Sequence, residues 1–199
     1  MHTYYSQKNQ PYMKSDYAIF VAEVASTVNE VLLLKHMIAN AEGEFKKYLL
    51  SYYLDMFRTT IYRQTMFAEF EAAAHQMDME GKPLTPDSLS ELYYGLNKTY
   101  YGEGVTHDKE IRYEWARIPH FYTPFYVYKY ATGLTAAVDI ARGILKGDRL
   151  DMYKNFLSAG GCMSPYEVLK LAGVDLKKSE PFEAAAAEFA ETLAQLKAL

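Results

Sequence analysis

Residues 16–39 read Asp-Tyr-Ala-Ile-Phe-Val-Ala-Glu-Val-Ala-Ser-Thr-Val-Asn-Glu-Val-Leu-Leu-Leu-Lys-His-Met-Ile-Ala. Ile19, Phe20, Val24, Val28, Val31, Leu32 and Met37 recur there at the spacing of one face of an α-helix. Asp16 stands where an N-terminal cap is expected, because a short carboxylate can accept from the amides of the first turn. His36 lies near the far end, where a cation suits the negative pole of the helix dipole. One carboxylate, Glu23, interrupts the apolar run. On a helix its neighbours are Ile19, Phe20, Ser26 and Thr27. Such an acid is paired with a Lys, an Arg or a metal ion if it is buried, because an unpaired buried charge is costly. Otherwise it lies on the solvent face. Taken alone, the structural explanations are the commoner ones.

Outward from this segment the chain continues as helices with Gly and Pro punctuation. Glu42 to about Met79 carries a wide apolar stripe through Phe45, Leu49, Tyr53, Phe57, Met66, Phe67 and Phe70, and Gly81 and Pro83 end it. Thr85-Pro-Asp-Ser starts a helix reaching about Tyr100: a hydroxyl cap, then Pro in the first turn, then an acid near the positive pole. Gly102-Glu-Gly104 reads as a loop, Lys109–Ala116 as a short helix broken by Pro119, and residues 122–146 as a long segment. Asp148 and Asp151 suggest a cap for a helix that stops at Gly160-Gly161. Ser164-Pro-Tyr-Glu167 has the form of a capping box, and Ser179-Glu-Pro181 opens a last helix. No convincing strand pair, repeat or linker is present. The expected fold is all-α: one multi-helix domain of about eight helices.

Composition narrows the function. The 199 residues are 50% hydrophobic and 23% charged, so the chain can build a core. The net charge is -4 and no basic block occurs, which gives nucleic-acid binding no support. No apolar run is long enough to span a membrane. The first twenty residues are polar and Tyr-rich, unlike a signal peptide. The single cysteine, Cys162, allows no internal disulfide, as expected of a cytoplasmic protein, and it has no cationic neighbour in sequence to make it reactive. The 19 tyrosines suit either a wet cleft that binds peptide backbone or packing at helix rims, the commoner use.

The densest chemistry lies in Arg117-Ile-Pro-His120-Phe-Tyr122-Thr-Pro-Phe-Tyr126-Val-Tyr128-Lys-Tyr130-Ala-Thr-Gly133. If the chain is helical after Pro124, Tyr126 and Tyr130 share one face, and Tyr122 extends it. Pro119 and Pro124 stiffen the turn that holds His120. A histidine and several tyrosine hydroxyls on one cleft can hydrogen-bond a developing oxyanion. The other explanation is an aromatic stripe packed against neighbouring helices, and spacing alone favours it.

This segment closely resembles the signature of the oligoendopeptidase F family, bacterial zinc oligopeptidases related to thimet oligopeptidase. Further matches run in the family's order along the chain: Ser6 and the preceding Met-His-Thr-Tyr-Tyr, Phe20-Val-Ala-Glu23-Val-Ala-Ser, Phe67-Ala-Glu-Phe70-Glu71, Glu114-Trp-Ala-Arg117, and Gly160-Gly-x-x-Ser164-Pro followed by Leu171-Ala-Gly-Val-Asp175. The resemblance implies that residues 1–199 are the helical C-terminal part of a peptidase catalytic domain. It implies Glu23 as the third zinc ligand, with Glu30 on the same helix behind the metal site. It implies His120, Tyr126 and Tyr130 as catalytic groups at the reacting carbonyl. Tyr122, Gly102 and Gly104 would contact an oligopeptide substrate, the glycines in a loop that closes over it.

The family's His-Glu-x-x-His motif, which supplies two zinc ligands and the general base, occurs nowhere in this sequence. By the family spacing the second histidine falls two residues before Met1. His2, three residues beyond that position, is a poor substitute. The expectation is a C-terminal part that holds zinc weakly or not at all and cuts no peptide unless the upstream half is supplied. Apolar surface left uncovered would favour self-association. The alternative is a non-catalytic helical module that binds peptides or other partners.

Overall fold

The computed structural model describes residues 1–199. They form nine α-helices and no strand, as expected for an all-α chain: α1 (His2–Asn9), α2 (Ile19–Asn40), α3 (Gly43–Phe57), α4 (Arg63–Met79), α5 (Pro86–Tyr101), α6 (Tyr128–Lys146), α7 (Leu150–Ser158), α8 (Pro165–Leu171) and α9 (Glu180–Lys197). No helix is long and apolar enough to cross a membrane. The helices gather into two compact units. The first comprises Met1–Phe57 and Thr132–Leu199, the second Arg58–Ala131.

In the first unit α2 buries Val21, Val24, Ala25, Val28, Val31, Leu34 and Ile38, a continuous helical face. Ile19 and Met37, expected on that face, are 55% and 36% exposed. The buried stripe runs through Val21 and Ile38 instead, one side of the same turns. Asp16 does not cap the helix either. Its carboxylate accepts from the adjacent Tyr17 amide at 2.9 Å, and Ala18 occupies the cap position. The core adds Ala136, Ala137 and Ile140 of α6, Tyr153, Phe156 and Leu157 of α7, and Val168 and Leu169 of α8. Small residues let α6 sink from Gly133 to Gly143 with hardly a break in burial. Gly147, at φ 91°, then ends it: the Asp148 amide reaches back to the Gly143 carbonyl at 3.2 Å. Asp148 is thereby spent on the end of α6, and Arg149, not Asp148, stands at the start of α7.

The first unit is also tied by charge. Glu188 of α9 is 1% exposed. It takes Lys35 Nζ of α2 at 2.5 Å and Arg142 Nη1 of α6 at 2.6 Å, and Arg142 also bridges Glu191 at 2.9 Å. Burying this carboxylate is tolerable only because both oxygens are matched. The small helix α1 docks on α7, with the His2 ring stacked on Tyr17 at 3.6 Å. Gly160 is required nearby: at φ 54°, a Cβ there would lie 2.3 Å from the Lys14 carbonyl oxygen.

In the second unit α4 packs on α5, and a 3-10 helix, Lys109–Arg117, packs on α5 as well. The core is Met66, Phe67, Phe70, Tyr93, Ile118 and Val127. Thr85 caps α5 as expected, in a reciprocal box with Ser88. Ser164 caps α8 through the Glu167 amide. The helix expected to run unbroken over 42–79 is interrupted by a π-helical segment, Arg58–Tyr62. Thr59, Thr60 and Ile61 within it are β-branched, a side-chain type that loses freedom against the preceding turn of an α-helix.

This architecture is open to two measurements. Glu188→Ala removes the partner of Lys35 and one of the two partners of Arg142 and is expected to destabilise the chain by roughly 3 kcal/mol, read by urea unfolding. Burial, helped by the positive terminal amine, lowers His2 from 6.5 to about 4. The unfolded form therefore binds the extra proton first, so the docking of α1 is complete above pH 6.5 and weakens as pH falls from 6.5 toward 4. Amide exchange across α1 at pH 7 and pH 5 measures this, and His2→Phe is expected to abolish the difference.

Candidate active site

His120 sits in a short 3-10 turn, Pro119–Tyr122, that prolines stiffen as the sequence suggests. Its Nε2 lies 3.0 Å from the Tyr130 hydroxyl. The Tyr126 ring is 5.6 Å from the imidazole, and Tyr130 meets both rings edge-on at 5.7 and 5.6 Å. Lys129 Nζ lies 4.8 Å from the centre of the Tyr126 ring. All three residues are half-buried. The structure thus brings His120, Tyr126 and Tyr130 together. It does so by a different route from the one expected. Helix α6 begins only at Tyr128, so Tyr126 reaches the cluster from the lead-in rather than from a shared helical face. Tyr122 is 83% exposed and takes part in none of these ring contacts.

The lead-in has an unusual backbone. Phe125 has a φ of 56°, a region that costs an L-residue about 1–2 kcal/mol. Its amide donates to Glu71 Oε1 of α4 at 2.7 Å, and Glu71 is 6% exposed. A hydrogen bond to a charged acceptor is worth about 1.5–3 kcal/mol, enough to offset the strain. One turn further along α4, His75 stacks on the Phe125 ring at 4.7 Å. Sequence reasoning found neither role. Its only hint was that Glu71 falls within the Phe67–Glu71 match.

Gly102 ends α5 at φ 68°, where only glycine is comfortable. Its carbonyl accepts from His107 Nε2 at 2.8 Å, and His107 Nδ1 meets Asn97 Oδ1 at 2.8 Å, so the glycine loop is tied at its base. Gly104 is exposed in the same loop. Beside it a cleft of about 600 Å³ is lined by Arg58, Arg63, Asn97, His107, Glu114 and Arg117 among others. Glu114 is its organising charge. Arg63 Nη2 reaches it at 2.7 Å, the Tyr93 hydroxyl donates to it at 2.5 Å, and Arg117 closes a third contact. Burial pushes the Glu114 carboxyl up, but the hydrogen bonds from Tyr93 and Arg63 and the two cations outweigh it and hold the group below its ordinary value.

Glu23 belongs to the first unit, whereas His120, Tyr122, Tyr126, Tyr130, Gly102 and Gly104 belong to the second. Its side chain is exposed on α2, so no burial demands a partner for it. The Ser26 hydroxyl donates to its carbonyl at 2.9 Å. Glu30 accepts weakly from the Tyr52 hydroxyl at 3.4 Å and raises the Tyr52 pKa. His2 is taken up by ring stacking, both of its nitrogens buried. No group of three or more His, Cys, Asp or Glu side chains is arranged to hold a metal ion. One exposed carboxylate does not make a zinc site, which needs three protein donors. The residues of this chain do not fit the metal by themselves.

A family model, peptidase family M3, matches residues 1–188. The chain belongs to peptidase family M3. This M3 chain is 50% identical to oligopeptidase PepF of Bacillus subtilis (strain 168), over 100% of its own length and 30% of that protein. It is 44% identical to group B oligopeptidase PepB of Streptococcus agalactiae serotype III, again over its full length and 34% of the relative. Its fold matches the crystal structure of oligoendopeptidase-F from Enterococcus faecium with a TM-score of 0.88 and 40% identity, covering 98% of this chain and 37% of that one. The M3 chain therefore spans about a third of the length of the relatives it matches.

The Glu114 hub gives the second unit an acid limit. The carboxyl is depressed in the folded form, so its stabilisation is full above its ordinary value of 4.5 and is lost as pH falls below it. Unfolding followed by Trp115 fluorescence is expected to steepen below pH 4.5, and Glu114→Gln to flatten that dependence while lowering stability at pH 7.

Proposed function

We propose that this chain is the C-terminal part of the catalytic domain of a zinc-dependent oligoendopeptidase that hydrolyses oligopeptides in the cytoplasm. The observation that carries this reading is the His120 Nε2–Tyr130 hydroxyl contact at 3.0 Å, in a chain 50% identical to an oligopeptidase. With Nε2–H donating to the tyrosine oxygen, the Tyr130 hydroxyl can turn its own proton toward the carbonyl oxygen of the scissile bond. As negative charge develops on that oxygen the bond strengthens, which is how a preorganised donor lowers a barrier. Tyr126 braces both rings. Tyr122, standing clear of them, and the tied loop at Gly102 and Gly104 contact the peptide on either side.

Glu23 would serve as the third metal ligand beside a segment carrying the two histidines, to which its exposure on α2 leaves it open. When bound, the metal would acidify the attacking water and polarise the carbonyl. This chain lacks the other donors and is inactive alone. The upstream half is its natural partner, and the exposed aromatic row of Phe45, Tyr48 and Tyr52 on α3, stacked at 6.4 and 6.5 Å, suits a covered face or self-association.

The purified chain is expected to leave an oligopeptide uncut. Combined with an upstream half carrying His-Glu-x-x-His, it is expected to give chelator-sensitive hydrolysis. In that assembly Tyr130→Phe should lower kcat roughly 100- to 1,000-fold with little change in KM, the size of losing one oxyanion donor. Chelator-sensitive cleavage by the chain alone, or full activity in Tyr130→Phe, would falsify the assignment.

A further inference from the structure

We propose that Glu71 is a positioning residue for the His120–Tyr126–Tyr130 cluster, clamping the Phe125 turn in the backbone conformation that sets both tyrosines against the histidine. Its bearing on catalysis rests on the peptidase reading above; the clamp itself does not.

Phe125 is the only non-glycine residue with a positive φ. Asn or Asp can soften that conformation with a local hydrogen bond of their own, but phenylalanine has nothing to offer. Something outside the turn must hold it. Glu71 does so from α4, accepting the Phe125 amide at 2.7 Å almost wholly out of water. His75 lies one turn along the same helix and stacks on the Phe125 ring. The two residues thus grip the backbone and the side chain of one position. Helix α4 is a firm support for this, because Met66, Phe67 and Phe70 are buried in the core of the second unit.

The grip sets the course of the next few residues. Two positions on, Val127 is fully buried in the same core as Phe70. Tyr126, between them, reaches His120. Pro124, with its fixed φ, leaves little slack before the turn. If Phe125 relaxed to an ordinary conformation, the peptide after it would rotate. Either Val127 would leave the core or Tyr126 would leave the histidine. Through α6, which starts at Tyr128, the same rotation would carry Tyr130 off the imidazole.

The test is NMR on the purified 199-residue chain. In the native chain the Phe125 amide is expected to exchange slowly. Glu71→Ala should speed that exchange roughly 10- to 100-fold, as befits loss of a hydrogen bond to a charged acceptor. It should also move the His120 ring resonances, which lie within the ring currents of Tyr126 and Tyr130, while the Trp115 indole resonance stays in place. Glu71→Gln keeps a carbonyl acceptor and is expected to restore both signals. Phe125→Gly, at ease with this φ, should preserve the Tyr130–His120 contact even beside Glu71→Ala. Unprotected exchange of the Phe125 amide in the native chain overturns the proposal, and so do His120 resonances unmoved by Glu71→Ala. If Glu71→Ala does not fold, the native amide and the Glu71→Gln signals decide the matter. No readout needs hydrolysis. An assembled enzyme that cuts no peptide would defeat the peptidase reading and leave the clamp standing.

Discussion

The buried carboxylate of Glu188 is the constraint on which the first unit is built. A charge with 1% exposure must be answered on both oxygens, and the answers come from Lys35 on α2 and Arg142 on α6. Apolar packing alone is non-directional. It would let α9 slide or turn on its neighbours at little expense. The ion pairs remove that freedom, because a shift of a few ångströms would leave the buried Glu188 carboxylate without its partners. The second unit repeats the device with Glu114, held by Arg63, Tyr93 and Arg117. Glu71 applies it on a smaller scale, to a single backbone amide.

Within the second unit, the Glu71 bond to the Phe125 amide lies beside a side-chain cluster that is itself half-open. His120, Tyr126 and Tyr130 touch through ring edges and one hydrogen bond, and none is sealed in the core. That division of labour suits chemistry on a polymer. The frame is rigid, so the donors keep their spacing. The three side chains stay accessible, as the proposed contact with a peptide carbonyl requires. Membership of family M3 and the match to bacterial oligopeptidases are the findings on which the proposed reaction class rests.

What the sequence revealed was mostly local. The caps at Thr85 and Ser164 were legible because cap, Pro and partner lie within four residues of one another. His120 and the tyrosines stood out through density and flanking prolines; His120, Tyr126 and Tyr130 do converge, whereas Tyr122 stands apart. Asp16 and Asp148 misled because each backbone site had a competing partner: the Tyr17 amide took one carboxylate, and the Gly143 carbonyl took the amide of the other. The π-helical segment was hidden because one apolar stripe can be drawn across it. The Glu71–Phe125 bond spans 54 residues, and a phenylalanine at positive φ has no signature in composition. Glu23 was legible as a distinctive acid, but a chain spanning a third of its relatives holds only one donor of the proposed metal set.

The single tryptophan and the single cysteine divide between the units. Trp115 donates its indole proton to Ser90 and packs near Phe70, so its emission reads the second unit. Cys162 rests against the core of the first unit and is partly accessible, so a thiol probe reads that one. The chain therefore carries a built-in optical reporter in one half and a chemical handle in the other. Whether the halves melt in one cooperative step or in two can be followed on the native sequence, with no engineered label.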